Sequence, residues 1–286
     1  MEPTVDDAPM LSVAPARQPV GVVEATDYKN GWRWLWEQGD YRPVGERTAP
    51  AAADLVAAAG VRADQKVLEV GAGVGNAARA AARLGATVTA SDFAPSMVAA
   101  GRALSAAEGL AVDWLEADIE DLPLPDNSFD VVLSTFGIEC APRVGIAVDE
   151  LRRVLKPGGT LGLTQWTPTD FMGEMEDLFL RYQPIPDDHH DPLDWGVEQV
   201  VRDRLDEQFA DVRIERGSLQ WRFPSAADVR TFWETKFPPT VFCFQMLGEK
   251  AAALRADFDA LTARYADSDG AIALPFGYLV IVATAR

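Results

Sequence analysis

Short apolar runs, bounded by glycine or proline, alternate along the middle of the chain with stretches in which apolar residues recur every three or four positions. This pattern predicts strand Lys66–Val70, helix Val74–Leu84, strand Thr87–Ser91 and helix Pro95–Glu108, the last opened by proline and closed by Gly109. It continues with strand Val112–Glu116, strand Phe129–Ser134, helix Val144–Leu155 and, after the turn "KPGG", strand Thr160–Gln165. Strands that alternate with helices imply right-handed crossovers and an α/β, doubly wound, mostly parallel sheet. An Ala-rich helical pattern runs from Glu46 to a stop at Gly60, and before it "YKNGWRWLWEQGDYRP" places Trp32 and Trp36 on one face if helical. After Trp166 the regularity falls, although "DVRIERGSLQWRF" (Asp211–Phe223) and Tyr278–Ala285 read as two late strands. The two irregular blocks before them suggest cap insertions over one edge of the sheet, where substrates are commonly held. The expected divisions are a disordered tail over 1–25, a helical lid over 26–60, a ligand-binding core over 61–166, and caps plus final strands over 167–286.

Composition narrows the chemistry. The 286 residues are 48% hydrophobic, enough for a sizeable core. Forty-four acidic residues face 26 basic ones, a formal net charge of -18, so the electrostatic footing for nucleic acid is absent. No apolar run reaches the length of a membrane span, and "MEPTVDDAPM" is acidic where a signal peptide is basic, so a cytoplasmic protein is expected. Two cysteines, Cys140 and Cys243, are too few for a disulfide framework or thiolate metal site and read as buried thiols.

The chemistry concentrates at "VLEVGAGVGN" (Val67–Asn76) and "ATVTASD" (Ala86–Asp92). A dinucleotide turn wants G-x-G-x-x-G, whereas Gly71, Gly73 and Gly75 give G-x-G-x-G with Asn76 in the third place. Glu69, two residues before the first glycine, would repel a diphosphate and attract an ammonium group. Asp92 ends the second strand, where a carboxylate accepts from ribose hydroxyls. In "EADIEDLP", Asp118 and the Ile119 amide follow the third strand and suit the edge of an adenine. Ribose, adenine and an amino acid together describe S-adenosylmethionine (SAM).

"VLEVGAGVGN", "VTASDFAPSMV", "EADIEDLPLPDNSFDVVLS" and "ELRRVLKPGGTLGL" resemble, in order and spacing, the successive motifs of class I SAM-dependent methyltransferases, in particular the bacterial small-molecule group related to quinone-biosynthesis enzymes. The resemblance implies a seven-stranded sheet whose last strand runs antiparallel between its neighbours, and SAM as cofactor. It further implies that Glu69, Gly71 and Gly73 hold the methionine part, Asp92 the ribose, and Phe93 and Met97 the adenine. Asp118 and Ile119 would then read the adenine edge, and Ser134 and Thr135 face the methionine. The alternative for Phe93 and Met97 is ordinary core packing at a helix start.

Methyl transfer is an in-line displacement, so alignment and exclusion of water carry most of the catalysis. A base is required only where the acceptor arrives protonated. In "STFGIECAPR", Glu139 lies just beyond the fourth strand and is the candidate catalytic residue, a base or a counter-charge; the alternative is a surface carboxylate near a helix start. Tyr28 and Trp36, in a segment resembling the family's N-terminal lid, and Trp233, with Phe232, Phe237, Phe242 and Phe244, are candidate substrate-binding residues. They suggest a hydrophobic or aromatic small molecule. His189 and His190 in "PDDHHDP" invite a metal reading, but adjacent side chains rarely meet one ion, and no metal is expected. The expected function is methyl transfer to O, N or C of a small metabolite, with no nucleic-acid or membrane partner and a homodimer compatible with the sequence. A SAM-binding enzyme catalysing cyclisation, a non-catalytic SAM-binding module and a nicotinamide oxidoreductase are the alternatives, the last set back by Glu69 and Asn76.

Overall fold

The computed structural model describes residues 25–183 and 191–286. The pair His189 and His190 and most of the expected N-terminal tail lie outside them. Seven strands form one sheet in the order β3-β2-β1-β4-β5-β7-β6: β1 (Lys66–Val70), β2 (Thr87–Asp92), β3 (Val112–Glu116), β4 (Phe129–Thr135), β5 (Leu155–Trp166), β6 (Phe209–Phe223) and β7 (Ile272–Ala285). The first five pair in parallel, and β7 lies antiparallel between β5 and β6.

The two-residue period of the strands divides the core into two layers. Val67, Val131 and Leu133 face one side of the sheet, with α2 (Arg42–Ala58) and α3 (Asn76–Arg83). Leu68, Val70, Val132, Leu161 and Leu163 face the other, with α5 (Val144–Val154) and α7 (Glu198–Leu205). Most of these side chains are fully buried, each worth about 1.5–3 kcal/mol relative to exposure. Helix α4 (Pro95–Ala107) returns from β2 to β3. The two layers leave the carboxyl ends of β1 and β4 side by side, and from there the chain leaves toward opposite halves of the sheet. That arrangement opens a crevice for a ligand.

Several elements differ in their bounds from the sequence expectation. The Ala-rich helix starts at Arg42, not Glu46, because Pro43 sits in its first turn, where a missing N–H costs nothing. The last strand starts at Ile272, six residues early, and pairs with β6 along its whole length to Phe223. Its early half was hidden by Pro275 and Gly277, which read as turn residues in isolation. The blocks between the late strands are helical: α6 (Phe171–Leu180) and α7 before β6, then α8 (Ala226–Thr235), α9 (Pro238–Met246) and α10 (Ala251–Ala263) before β7. N-terminal to the sheet, α1 (Ala25–Trp36) packs against α9, with Trp34 edge-on to Phe242 at 5.6 Å.

Candidate active site

The glycine turn that follows β1 is bent as its sequence demands. Gly71, Gly73 and Gly75 all have positive φ, at 55°, 52° and 75°, a region that side chains rarely tolerate. A Cβ on Gly71 would stand 2.9 Å from the Cα of Gly137, so the turn after β1 touches the turn after β4 through bare backbone. Asn76, in the place of a third glycine, donates from Nδ2 to the Gly45 carbonyl at 2.7 Å and to Thr48 Oγ1 at 3.2 Å. It therefore ties α2 to the first turn of α3.

Two carboxylates hold this turn from behind. Asp92 accepts from the Gly73 N–H at 2.8 Å through Oδ2 and from the Ala94 N–H at 2.9 Å through Oδ1. Burial pushes its carboxyl up to about 6 against the pull of those bonds. Glu69, fully buried, accepts from the Ala77 and Ala78 N–H groups at 3.3 and 2.7 Å and from Thr135 Oγ1 at 3.0 Å. Burial lifts it to about 7, and the amides at the N-terminus of α3 oppose the rise.

A cavity of about 900 Å³ opens over this scaffold. Gly71, Gly73 and Asn76 line it from the turn, Asp92, Phe93 and Met97 from β2 and α4, and Ala117, Asp118 and Ile119 from the loop after β3. Thr135 closes it from the end of β4, Phe136 and Gly137 from the turn after it, and Cys140, Ala141 and Pro142 from the segment beyond. The N-terminal segment supplies the rest: Lys29, Trp32, Trp36, Tyr41 and Thr48. Phe136 holds a φ of 56° and stacks flat on Trp166, with centroids 3.8 Å apart. Tyr41 meets Trp36 edge-on at 5.6 Å. Burial, reinforced by the charges of Glu139 and Asp92, holds the Tyr41 hydroxyl and the Cys140 thiol protonated.

The structure therefore brings Gly71, Gly73, Asp92, Phe93, Met97, Asp118, Ile119, Thr135 and Trp36 to one cavity. Glu69 stands one layer back, with its oxygens on α3 and Thr135. Ser134 points to the opposite face from Thr135, where its hydroxyl donates to Val70 O and accepts from the Ile138 N–H. Trp233 is fully buried in the cap, stacked on Trp221 at 5.8 Å, and lines no part of the cavity. Tyr28 lies on α1, with its side chain outside the described residues. Glu139 sits on the single 3-10 turn Ile138–Cys140, between two lining residues but not itself lining. Burial, with Glu176 and Asp191 acting in the same sense, drives its carboxyl well above the ordinary range, and Glu176 is pushed up to about 8.

Lys29, Gly137 and Cys140 belong to the cavity wall without having been singled out as site residues from the sequence. For Lys29 the available signal was its spacing: Lys29 and Arg33 form a polar row beside the Trp32 and Trp36 row. Among the described residues no cluster of three potential metal ligands occurs, and no helix is long and apolar enough to cross a membrane.

Comparison with known proteins accords with this geometry. Residues 68–163 match the methyltransferase domain family. The chain is 36% identical over 261 residues to the uncharacterised protein Rv1405c of Mycobacterium tuberculosis, covering 89% of this chain and 94% of that one. It is 37% identical over 123 residues to a demethylmenaquinone methyltransferase of Clavibacter sepedonicus, covering 42% and 49% of the two chains. The crystal structure of the YcgJ protein from Bacillus subtilis superposes with a TM-score of 0.60 at 19% identity, over 82% of this chain and 98% of that one, and so shares the fold. With the seven-stranded order, the glycine turn and the ordered motifs in place, the chain belongs to the class I SAM-dependent methyltransferases.

Proposed function

We propose that this protein binds SAM in the cavity at the carboxyl ends of β1 and β4 and transfers its methyl group to a small, apolar or aromatic acceptor. The observation that carries the reading is the meeting of two chemistries in one cavity wall. The backbone of Gly71 and Gly73 and the carboxylates of Asp92 and Asp118 share it with the rings of Trp32, Trp36, Tyr41 and Phe136. The polar groups fit the cofactor. Asp92 keeps lone pairs beyond its two backbone bonds for the ribose hydroxyls, and Asp118 with the Ile119 amide matches the adenine edge. Phe93 and Met97 flank the ring, Thr135 faces the methionine part, and Glu69 contributes negative potential from behind the turn. When bound, SAM supplies an electrophilic methyl carbon on a positively charged sulfur.

The chain's own contribution is placement and exclusion of water. Trp32, Trp36 and Tyr41 cover the cavity, and Tyr41 and Cys140 offer neutral donors to an acceptor. Glu139, beside Cys140, is the candidate to receive an acceptor's proton by its position, while burial raises its carboxyl and so favours its protonated form until a cation is bound nearby. The apolar acceptor is further supported by the partial relative whose name gives a demethylmenaquinone as that protein's acceptor.

Incubation with methyl-labelled SAM and a metabolite extract, followed by mass spectrometry, tests the reading. A product heavier by one labelled methyl group is expected. A product formed without label would favour a cyclisation-type reaction, and SAM binding with no turnover would favour a binding module. Replacement of Glu139 by Gln is expected to slow turnover with SAM affinity unchanged; an unaltered rate would return Glu139 to a structural role.

A further inference from the structure

The polar contacts of α1 lie in one row. Lys29 and Arg33 on the helix, and Glu37 just beyond its end, are spaced four apart and reach the same wall of the cavity. Lys29 Nζ pairs with Asp118 and with Glu120 Oε2, the latter at 2.5 Å. Arg33 pairs with Glu116. Glu37 Oε1 accepts from the Ser96 N–H at 3.1 Å in the first turn of α4, an end that favours a negative charge. The neighbouring row, Trp32 and Trp36, forms part of the cavity lining. Charge thus fastens the helix to the loop after β3 and to α4, and its aromatic row closes the cavity.

Lys29 differs from the other two. Its side chain is only 19% exposed, against 42% for Arg33. Of its partners, Glu120 is already held by Arg143, through the backbone N–H at 2.6 Å and the guanidinium at 2.7 and 2.8 Å. The Asp118 carboxylate accepts otherwise only from the Glu120 N–H, at 2.9 Å, among the described contacts. The effect of Lys29 therefore falls on Asp118, the carboxylate at the nucleoside end of the cavity.

We propose that Lys29 is a positioning residue of the cofactor site: it fixes the Asp118 carboxylate and, with Arg33 and Glu37, docks α1 across the cavity, so that this charged row sets how fast SAM leaves. The proposal rests on the reading of the cavity as a SAM site. Departure of the ligand requires the row to part, and salt that screens the row speeds departure.

Stopped-flow dissociation of SAM tests it. Lys29→Met should release SAM about tenfold faster, equivalent to about 1.4 kcal/mol, and Lys29→Arg should restore most of the wild-type rate. Arg33→Glu and Glu116→Arg should each accelerate release by about two- to fivefold, the scale of an exposed pair, and the combined exchange should recover the wild-type rate. Wild-type release should quicken between about 0.1 and about 1 M salt, as the Debye length falls from ~10 to ~3 Å, and Lys29→Met should keep the share of that dependence carried by the more exposed Arg33–Glu116 pair. Amide exchange of residues 29–36 without cofactor, faster in Lys29→Met than in wild type, reads docking independently. Normal SAM binding with unchanged release and exchange in Lys29→Met, or a charge exchange that fails to recover the rate, would overturn the role of the row alone. A wild-type protein that binds no SAM would overturn the cofactor reading and the proposal with it.

Discussion

Asp92 has two tasks that one substitution separates from the rest of the site. Its oxygens hold the Gly73 and Ala94 amides, and its remaining lone pairs face the cavity. Asp92→Ala is expected to weaken SAM binding by more than about tenfold, or about 1.4 kcal/mol, by calorimetry; unchanged affinity would remove it from the site. Asn76 acts on stability instead. Loss of its amide in Asn76→Ala breaks the tie from α3 to the Gly45 carbonyl and Thr48 Oγ1, which keep their own bond at 3.0 Å, at a cost of about 0.5–1.5 kcal/mol, measurable as a lowered urea midpoint. Asp92 and Asp118 were legible in the sequence because strand ends and spacing fix them. The different settings of Ser134 and Thr135 were legible only in part: strand alternation sends neighbours to opposite faces, but the sequence does not say which face is wet. Lys29 could not be found that way, because its partner is 89 residues away.

At the scale of elements, one ring sets the distance between α3, α4 and β3. Trp114 of β3 lies against Gly75 before α3 and Gly101 inside α4, where added Cβ atoms would stand 2.6 and 2.0 Å from it. Gly101→Ala forces that ring to move and should cost about 1–3 kcal/mol. Gly145→Ala in α5 meets nothing within 4 Å and should be neutral or stabilising by about 0.4–1 kcal/mol. Parallel denaturant titrations check both, and equal midpoints would dismiss the packing account. The parallel strands β1 to β4 were readable to within about a residue because each is a short run bounded by turn signals and set between helical patterns. The first half of β7 was not, since its partner β6 overrides Pro275 and Gly277 through a pairing that no local pattern records. Trp233 shows the same limit: an aromatic in a cap looks alike from sequence whether it faces a ligand or, as here, other rings.

For the molecule as a whole, the two buried carboxylates link stability and ligand charge to pH. Glu69, near 7, and Asp92, near 6, both lie above their ordinary values of 4.5 and 3.8. The folded state then holds these protons more tightly than the unfolded chain. Their contribution is fully present below about pH 4 and is lost as pH rises through 6 to 7. A cation in the cavity acts in the opposite direction by favouring both ionised forms. SAM affinity is therefore expected to rise from pH 5.5 to 8, with protons released on binding, whereas its neutral demethylated counterpart shows a weaker trend. Calorimetry in buffers of different ionisation heat measures the release, and its absence would show that neither carboxylate senses the ligand. The doubly wound sheet and its antiparallel last strand followed from the alternation of elements and the motif resemblance, whereas the cap's fit against α1 depends on tertiary packing alone. That fit has a practical consequence. Of the eight tryptophans in the chain, Trp32 and Trp36 form part of the cavity wall, and the rings at 166, 195, 221 and 233 are buried. Occupancy of the cavity is thus expected to change the emission of the two wall rings, against a background from the four buried ones.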